Sequence, residues 1–192
     1  MAHVPPRKLA HVVYRTHRFE EMLDWYAAVF GARVQHQDAA LAFLTYDDEH
    51  HRFAFANLDV LKPDDAGRAE QGLLGVDHVA YSYDSVDELL DAYEDLKTRG
   101  ILPYWCVHHG ITVSMYYRDP DGNQMEFQVD RFPSAEQTAG YMTGPAFAAN
   151  PVGVEYDPED WLARRRSGVS AAEFLDLADG QPMSPIRGVL GA

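Results

Sequence analysis

The sequence predicts an α+β fold of two βαβββ modules, and three observations carry the prediction. Apolar residues recur with helical spacing in two windows, residues 18–30 and 85–99. One strand-like segment precedes each window and three follow it. A polar stretch at residues 62–71 (KPDDAGRAEQ) breaks the pattern, after which the same order begins again. A repeated unit of this size implies two modules that pair through their sheets.

Each element has a local reason. Residues 9–15 read as a strand. In 18–30, Phe19, Met22, Leu23, Tyr26 and Phe30 share one helical face, and Gly31 suits the position just past the helix. Short strands are expected at 32–36, 40–46 and 51–57. In the second half, 75–83 is a strand. The helix at 85–99 has the stripe Val86, Leu89, Leu90, Tyr93 and Leu96, with Ser85 and Glu88 spaced as a capping box and Gly100 closing it. Strands follow at 103–107, 112–118 and 124–130, the last two joined by a turn at Asp119-Pro120-Asp121-Gly122. Modules therefore span about 7–60 and 73–132 of one domain at 1–135. Beyond it, 136–192 reads as an extension that packs on the domain or at an oligomer interface. Its segment 140–158, rich in Gly, Pro and Ala, is expected to wrap the surface. Asp157-Pro158-Glu159-Asp160 looks like a helix start, and Ser170 with Glu173 like a second capping box.

Composition limits the function. The 192 residues carry a net charge of −14, which argues against nucleic acid and anionic membrane partners but leaves a small neutral aromatic ligand open. The 46% hydrophobic content is ample for a packed interior. A lone Cys106 excludes an internal disulfide framework and fits a reducing cytoplasm, where it reads as an inert buried thiol. Met1 to Ala10 has no apolar signal region, and no apolar run approaches the ~20 residues of a membrane helix. A cytoplasmic homo-oligomer is the expectation.

The chemistry lies in the histidines, nine in all. His11 and His78 fall at matched places in the first strand of each half, and Glu126 lies on the last strand of the second. Two histidines and one carboxylate on one side of a metal leave neighbouring coordination positions open, the ligand pattern of non-haem Fe(II) oxygen chemistry. Strand alternation puts Glu126 on a polar face with Gln124 and Gln128, and Tyr116 on a polar face with Thr112 and Ser114. Met125, Phe127 and Val129, and Val113, Met115 and Tyr117, form the opposite, apolar faces. Asp47-Asp48-Glu49 reads as a solvated loop. Tyr14, Phe53 and Phe55 read as core or lining.

On these residues the chain resembles the vicinal oxygen chelate superfamily of glyoxalases, antibiotic resistance proteins and extradiol dioxygenases, over about residues 9–130. The segments LAHVVYR, GVDHVAYSY and RDPDGNQMEFQVD carry His11, His78 and Glu126 at the family's ligand places. The resemblance implies a cup-shaped mixed sheet around a metal. Within the superfamily the chain is most similar to one-domain type I extradiol catechol dioxygenases. The paired histidines of DDEHHRFAFA imply His51 as the acid–base residue. HHGITVSMYY implies His109, with His108 as the second choice, and Tyr116 as groups that bind the substrate's oxygens. Fe(II), with Mn(II) as second choice, a catechol and O₂ follow from the same resemblance. The competing readings are another metal enzyme of the superfamily (a glyoxalase, an epimerase or a thiol transferase) and a non-enzymatic aromatic drug-binding protein. Glyoxalase-type sites usually add a carboxylate from the last strand of the first module, where this chain reads RFAFANL.

Overall fold

Two mixed β-sheets with the same internal strand order carry the chain. The computed structural model describes residues 8–63, 76–177 and 180–188. They divide into two units. The first is Met1–Gln71 with Asp119–Asp121, the second Gly72–Arg118 with Gly122–Ala192.

The first unit runs β1 (Val12–Thr16), α1 (Phe19–Phe30), β2 (Arg33–Gln37), β3 (Leu41–Thr45), β4 (Phe53–Asn57) and a single turn α2 (Leu58–Leu61). Its sheet has the order β1-β4-β3-β2, with β1 parallel to β4 and the other pairs antiparallel. The stripe expected on α1 is buried at Phe19, Met22, Leu23 and Tyr26. Tyr26 packs edge-on against Phe53 and Phe55, with ring centroids 4.6 and 4.9 Å away. Gly31 takes the left-handed conformation that ends the helix, at φ 60°.

The second unit runs β5 (His78–Ser82), α3 (Val86–Thr98), β6 (Trp105–His108), β7 (Thr112–Arg118), β8 (Gln124–Asp130), α4 (Ala135–Met142), α5 (Pro145–Ala149), β9 (Val154–Glu155), α6 (Pro158–Arg166) and α7 (Ala171–Phe174). Its sheet order is β5-β8-β7-β6-β9, again with only the first pair parallel. All five residues of the α3 stripe are buried, with Met115, Tyr117, Met125, Phe127 and Val129 in the same unit's core. Cys106 is a buried free thiol whose pKa burial pushes up to about 12.

Several elements depart from expectation for identifiable reasons. β1 begins at Val12, not residue 9, because the Leu9 and Ala10 carbonyls accept from the Arg52 guanidinium at 2.7 and 2.9 Å instead of joining a ladder. His11 therefore precedes the strand. β4 begins at Phe53, which leaves His51 in the loop before it. Most of the polar stretch at 62–71, and residue 75 at the expected start of β5, lie outside the described residues. The capping box of α3 is half made. Ser85 accepts from the Glu88 N–H, but Glu88 reaches one residue further back, to the Asp84 N–H at 3.0 Å. The Ser170–Glu173 box on α7 is complete. The extension is more regular than a surface wrap. It forms α4 and α5, adds β9 to the sheet edge, and lays α6 on α3 with Arg165 bonded to Asp91 at 2.7 Å. Among the described residues no helix is long and apolar enough to cross a membrane.

Leu90 is fully buried, so Leu90→Ala should cost about 2–5 kcal/mol through the cavity it leaves. Ser85→Ala, which removes only a cap, should cost about 1 kcal/mol. Urea unfolding of the two variants against the parent checks both values and their order.

Candidate active site

Register builds the polar cluster of the second unit. β8 lies between β5 and β7. Gln124 is the register partner of His78, and Glu126 of Tyr116. Side chains two apart on a strand share a face, so His78, Glu126 and Tyr116 converge. His78 Nε2 lies 3.1 Å from Glu126 Oε2. On its other side, His78 Nδ1–H donates to Asp77 Oδ1 at 2.8 Å. Gln124 in turn donates to the Asp77 carbonyl at 3.0 Å, which fixes the backbone just before β5. The Tyr116 ring meets the His78 ring edge-on at 5.4 Å and stacks on Trp105 at 4.8 Å.

His108 and His109 are neighbours with separate environments. His108 is buried. Its Nε2–H donates to the Leu175 carbonyl at 3.1 Å, and its Nδ1 accepts from the Gly110 N–H at 3.0 Å. Both ring nitrogens are satisfied in the neutral form, and burial pulls its pKa down to about 4. His109 turns to the polar cluster. Its Nε2 is 3.0 Å from Tyr116 Oη and 3.9 Å from Glu126 Oε1. Its Nδ1 is 2.5 Å from the Val152 carbonyl, which can only accept. The proton therefore sits on Nδ1, and in the neutral ring Nε2 accepts from the Tyr116 hydroxyl. Burial lowers the His109 pKa and raises that of Tyr116, which the Glu126 carboxylate raises further.

The first unit carries its own histidine cluster. The His11 and His51 rings lie 4.4 Å apart, and His50 Nδ1 is 2.6 Å from His51 Nδ1. Phe43 meets His51 edge-on at 5.0 Å. Desolvation, then repulsion from His11 and His50, lowers the His51 pKa, which favours a neutral ring able to accept a proton. Asp47 corrects the reading of its run as a merely solvated loop. It accepts from Arg52 Nε at 2.8 Å and from the Glu49 N–H at 3.0 Å, and Arg52 also holds the backbone leading to His11.

His78 and Glu126 bring together one nitrogen and one carboxylate donor of the kinds that a divalent metal takes. With Nδ1–H committed to Asp77, a neutral His78 directs its Nε2 lone pair at the Glu126 carboxylate. Such a partner on the far nitrogen is the usual way a ligating histidine is oriented. Of the expected triad, His78 and Glu126 belong to the second unit and His11 to the first. Among the described residues, no three His, Cys, Asp or Glu side chains are grouped so that they could hold a metal ion. In the first sheet Val13 pairs with Ala54 as Ala80 pairs with Glu126 in the second. Ala54 thus occupies the place that corresponds to Glu126.

The family model described as the Glyoxalase/Bleomycin resistance protein/Dioxygenase superfamily matches residues 8–127. The chain belongs to this superfamily. The superfamily match spans both βαβββ repeats and ends within β8. Among curated relatives, biphenyl-2,3-diol 1,2-dioxygenase 2 of Rhodococcus globerulus is 46% identical over 152 residues, 79% of this chain and 77% of the relative. Biphenyl-2,3-diol 1,2-dioxygenase 3 of the same organism is 37% identical over 177 residues, 91% and 90% of the two chains. A solved lactoylglutathione lyase from Agrobacterium tumefaciens aligns with TM-score 0.52 at 18% identity, covering 66% of this chain and 96% of its own, a likeness of fold alone.

Sequence reasoning missed the supporting groups Asp77, Trp105, Arg52 and the Val152 carbonyl. Asp77 stands beside His78 in GVDHVAYSY and was legible as a potential ring partner. A backbone carbonyl from the extension leaves no sequence signal.

In the metal-free protein Glu126, then Asp77, hold the His78 pKa at about 9 against the opposing effect of burial. The imidazolium–carboxylate pair therefore stabilises the fold fully below the unfolded histidine pKa of about 6.5, and this contribution is lost as pH rises through about 9. Glu126→Gln should return the His78 titration toward the ordinary histidine range, read by NMR of the ring protons. An unchanged titration would break the assignment of Glu126 as its partner.

Proposed function

We propose that this chain is an extradiol ring-cleaving dioxygenase, opening a catecholic ring beside its two hydroxyls and incorporating both atoms of O₂. The observation that carries the proposal is the 46% identity to a biphenyl-2,3-diol 1,2-dioxygenase across 79% of the chain. The substrate class is a bicyclic or substituted catechol of the biphenyl-2,3-diol kind, and the product a 2-hydroxymuconic semialdehyde type of acid. A neutral aromatic diol also suits a protein of net charge −14 better than an anionic ligand does.

His11, His78 and Glu126 would hold Fe(II). The metal, when bound, supplies a centre at which the diol and O₂ are brought together. The chain's own groups move the protons and hold the charge. His51, kept neutral by its surroundings, removes a proton from a catechol hydroxyl and later returns one. The Tyr116 hydroxyl, 3.0 Å from His109 Nε2, turns to donate to a substrate oxygen and stabilises its developing charge, and the His109 Nε2 lone pair that it frees accepts from a catechol hydroxyl and orients it. Asp77 keeps the His78 ring turned toward Glu126. Ala54 at the place corresponding to Glu126 favours this reading over a glyoxalase-type site, which uses a carboxylate from that strand.

The test is anaerobic Fe(II) loading followed by 2,3-dihydroxybiphenyl and air, with a yellow ring-cleavage product as the readout. His51→Gln should retain iron and bind the diol, and turnover should fall by roughly two to four orders of magnitude. Glu126→Ala should lose tight iron binding. A parent that binds iron but leaves every catechol intact, or a His51→Gln variant at the parental rate, would count against the proposal.

A further inference from the structure

The extension beyond the superfamily match touches β6 and its exit at three side chains. Trp105 Nε1–H donates to Ser184 Oγ at 3.0 Å. His108 Nε2–H donates to the Leu175 carbonyl, and His109 Nδ1–H to the Val152 carbonyl at 2.5 Å. Val152 also packs its side chain against the cluster of Trp105, Val107 and Tyr116. One residue thus supports both Tyr116 and His109.

The approach is built to be close. Gly153, at φ +107°, lies where an added Cβ would fall 2.3 Å from the His108 carbonyl oxygen and 2.8 Å from His109 Cα. Only glycine fits such a conformation and spacing. Asn150 clamps the turn from both sides. Its Oδ1 accepts from the Gly153 N–H at 2.7 Å, and its Nδ2 donates to the Gly153 carbonyl at 3.1 Å. β9 then pairs with β6, His108 opposite Val154 and Val107 opposite Glu155.

We infer that the Asn150–Gly153 turn of the C-terminal extension is a positioning element of the active site, in which the Val152 carbonyl fixes His109 as the Nδ1–H tautomer and aims its Nε2 lone pair at the Tyr116 hydroxyl. The functional part of this inference rests on the extradiol reading; the tautomer does not. Val152 and Asn150 touch no reacting atom in this scheme. They act through His109, as an outer hydrogen-bond partner acts through the ring it orients.

The test uses full-length protein labelled with ¹⁵N-histidine, metal-free and with Zn(II) as a diamagnetic stand-in. Ring ¹H–¹⁵N correlations read the tautomer. The parent should show His109 protonated at Nδ1 and unprotonated at Nε2. In Asn150→Ala that single tautomer should give way to a mixture. On the iron-loaded variant kcat for 2,3-dihydroxybiphenyl should fall about ten- to a hundred-fold, with iron content and thermal midpoint near parental values. Asn150→Asp, which still accepts from the Gly153 N–H, should recover part of the loss and serves as the working variant if the alanine protein does not fold. An Nε2–H tautomer in the parent would overturn the inference. So would retention of both the tautomer and kcat in the variants. A parent with the expected tautomer but no ring cleavage would instead defeat the extradiol reading.

Discussion

The register of β8 is the constraint on which the described site depends. That strand pairs parallel with β5 and antiparallel with β7. Its alternation sends Met125, Phe127 and Val129 to the apolar face and Gln124, Glu126 and Gln128 to the other. A slip of one residue against either neighbour would exchange the two faces. Glu126 would then be replaced by a hydrophobic side chain beside His78, and a carboxylate would enter the apolar core. The core residues and the functional residues of β8 therefore fix one another.

Electrostatics explains why such a cluster is tolerable inside a folded unit. Glu126 is buried, a position that ordinarily raises a carboxylic pKa. Hydrogen bonds from His78 and Ser114, and the charge of His78, outweigh that penalty and hold it below its usual value. The protonated His78 supplies the positive charge that faces this carboxylate.

The extension changes the meaning of residues that look ordinary in the sequence. Its Gly- and Pro-rich start forms short helices and a clamped turn, and its later part returns to bond Trp105 and His108. Ser184 also accepts no role from local propensity. It lies 79 residues from Trp105 and gains its place only because the chain comes back to the edge of β6.

The sequence by itself determined the two βαβββ repeats, the bounds of β7 and β8, and the buried stripes of α1 and α3, because alternation and helical spacing act over a few residues. It also marked His11, His51, His78, His109, Tyr116 and Glu126 by type and position. Tertiary structure alone decided the environments of the histidine pair. His108 is bonded to a carbonyl 67 residues away and His109 to one 43 residues away. Alternation sends adjacent strand residues to opposite faces, but the local sequence does not say which partner waits on each face. The docking of β9 on β6, with Gly153 passing close over the backbone, brings the Val152 carbonyl to His109, and the end of α7 brings the Leu175 carbonyl to His108. The start of β1 was likewise set at long range, by Arg52 reaching the Leu9 and Ala10 carbonyls, 43 and 42 residues away, while Asp47 holds Arg52 locally.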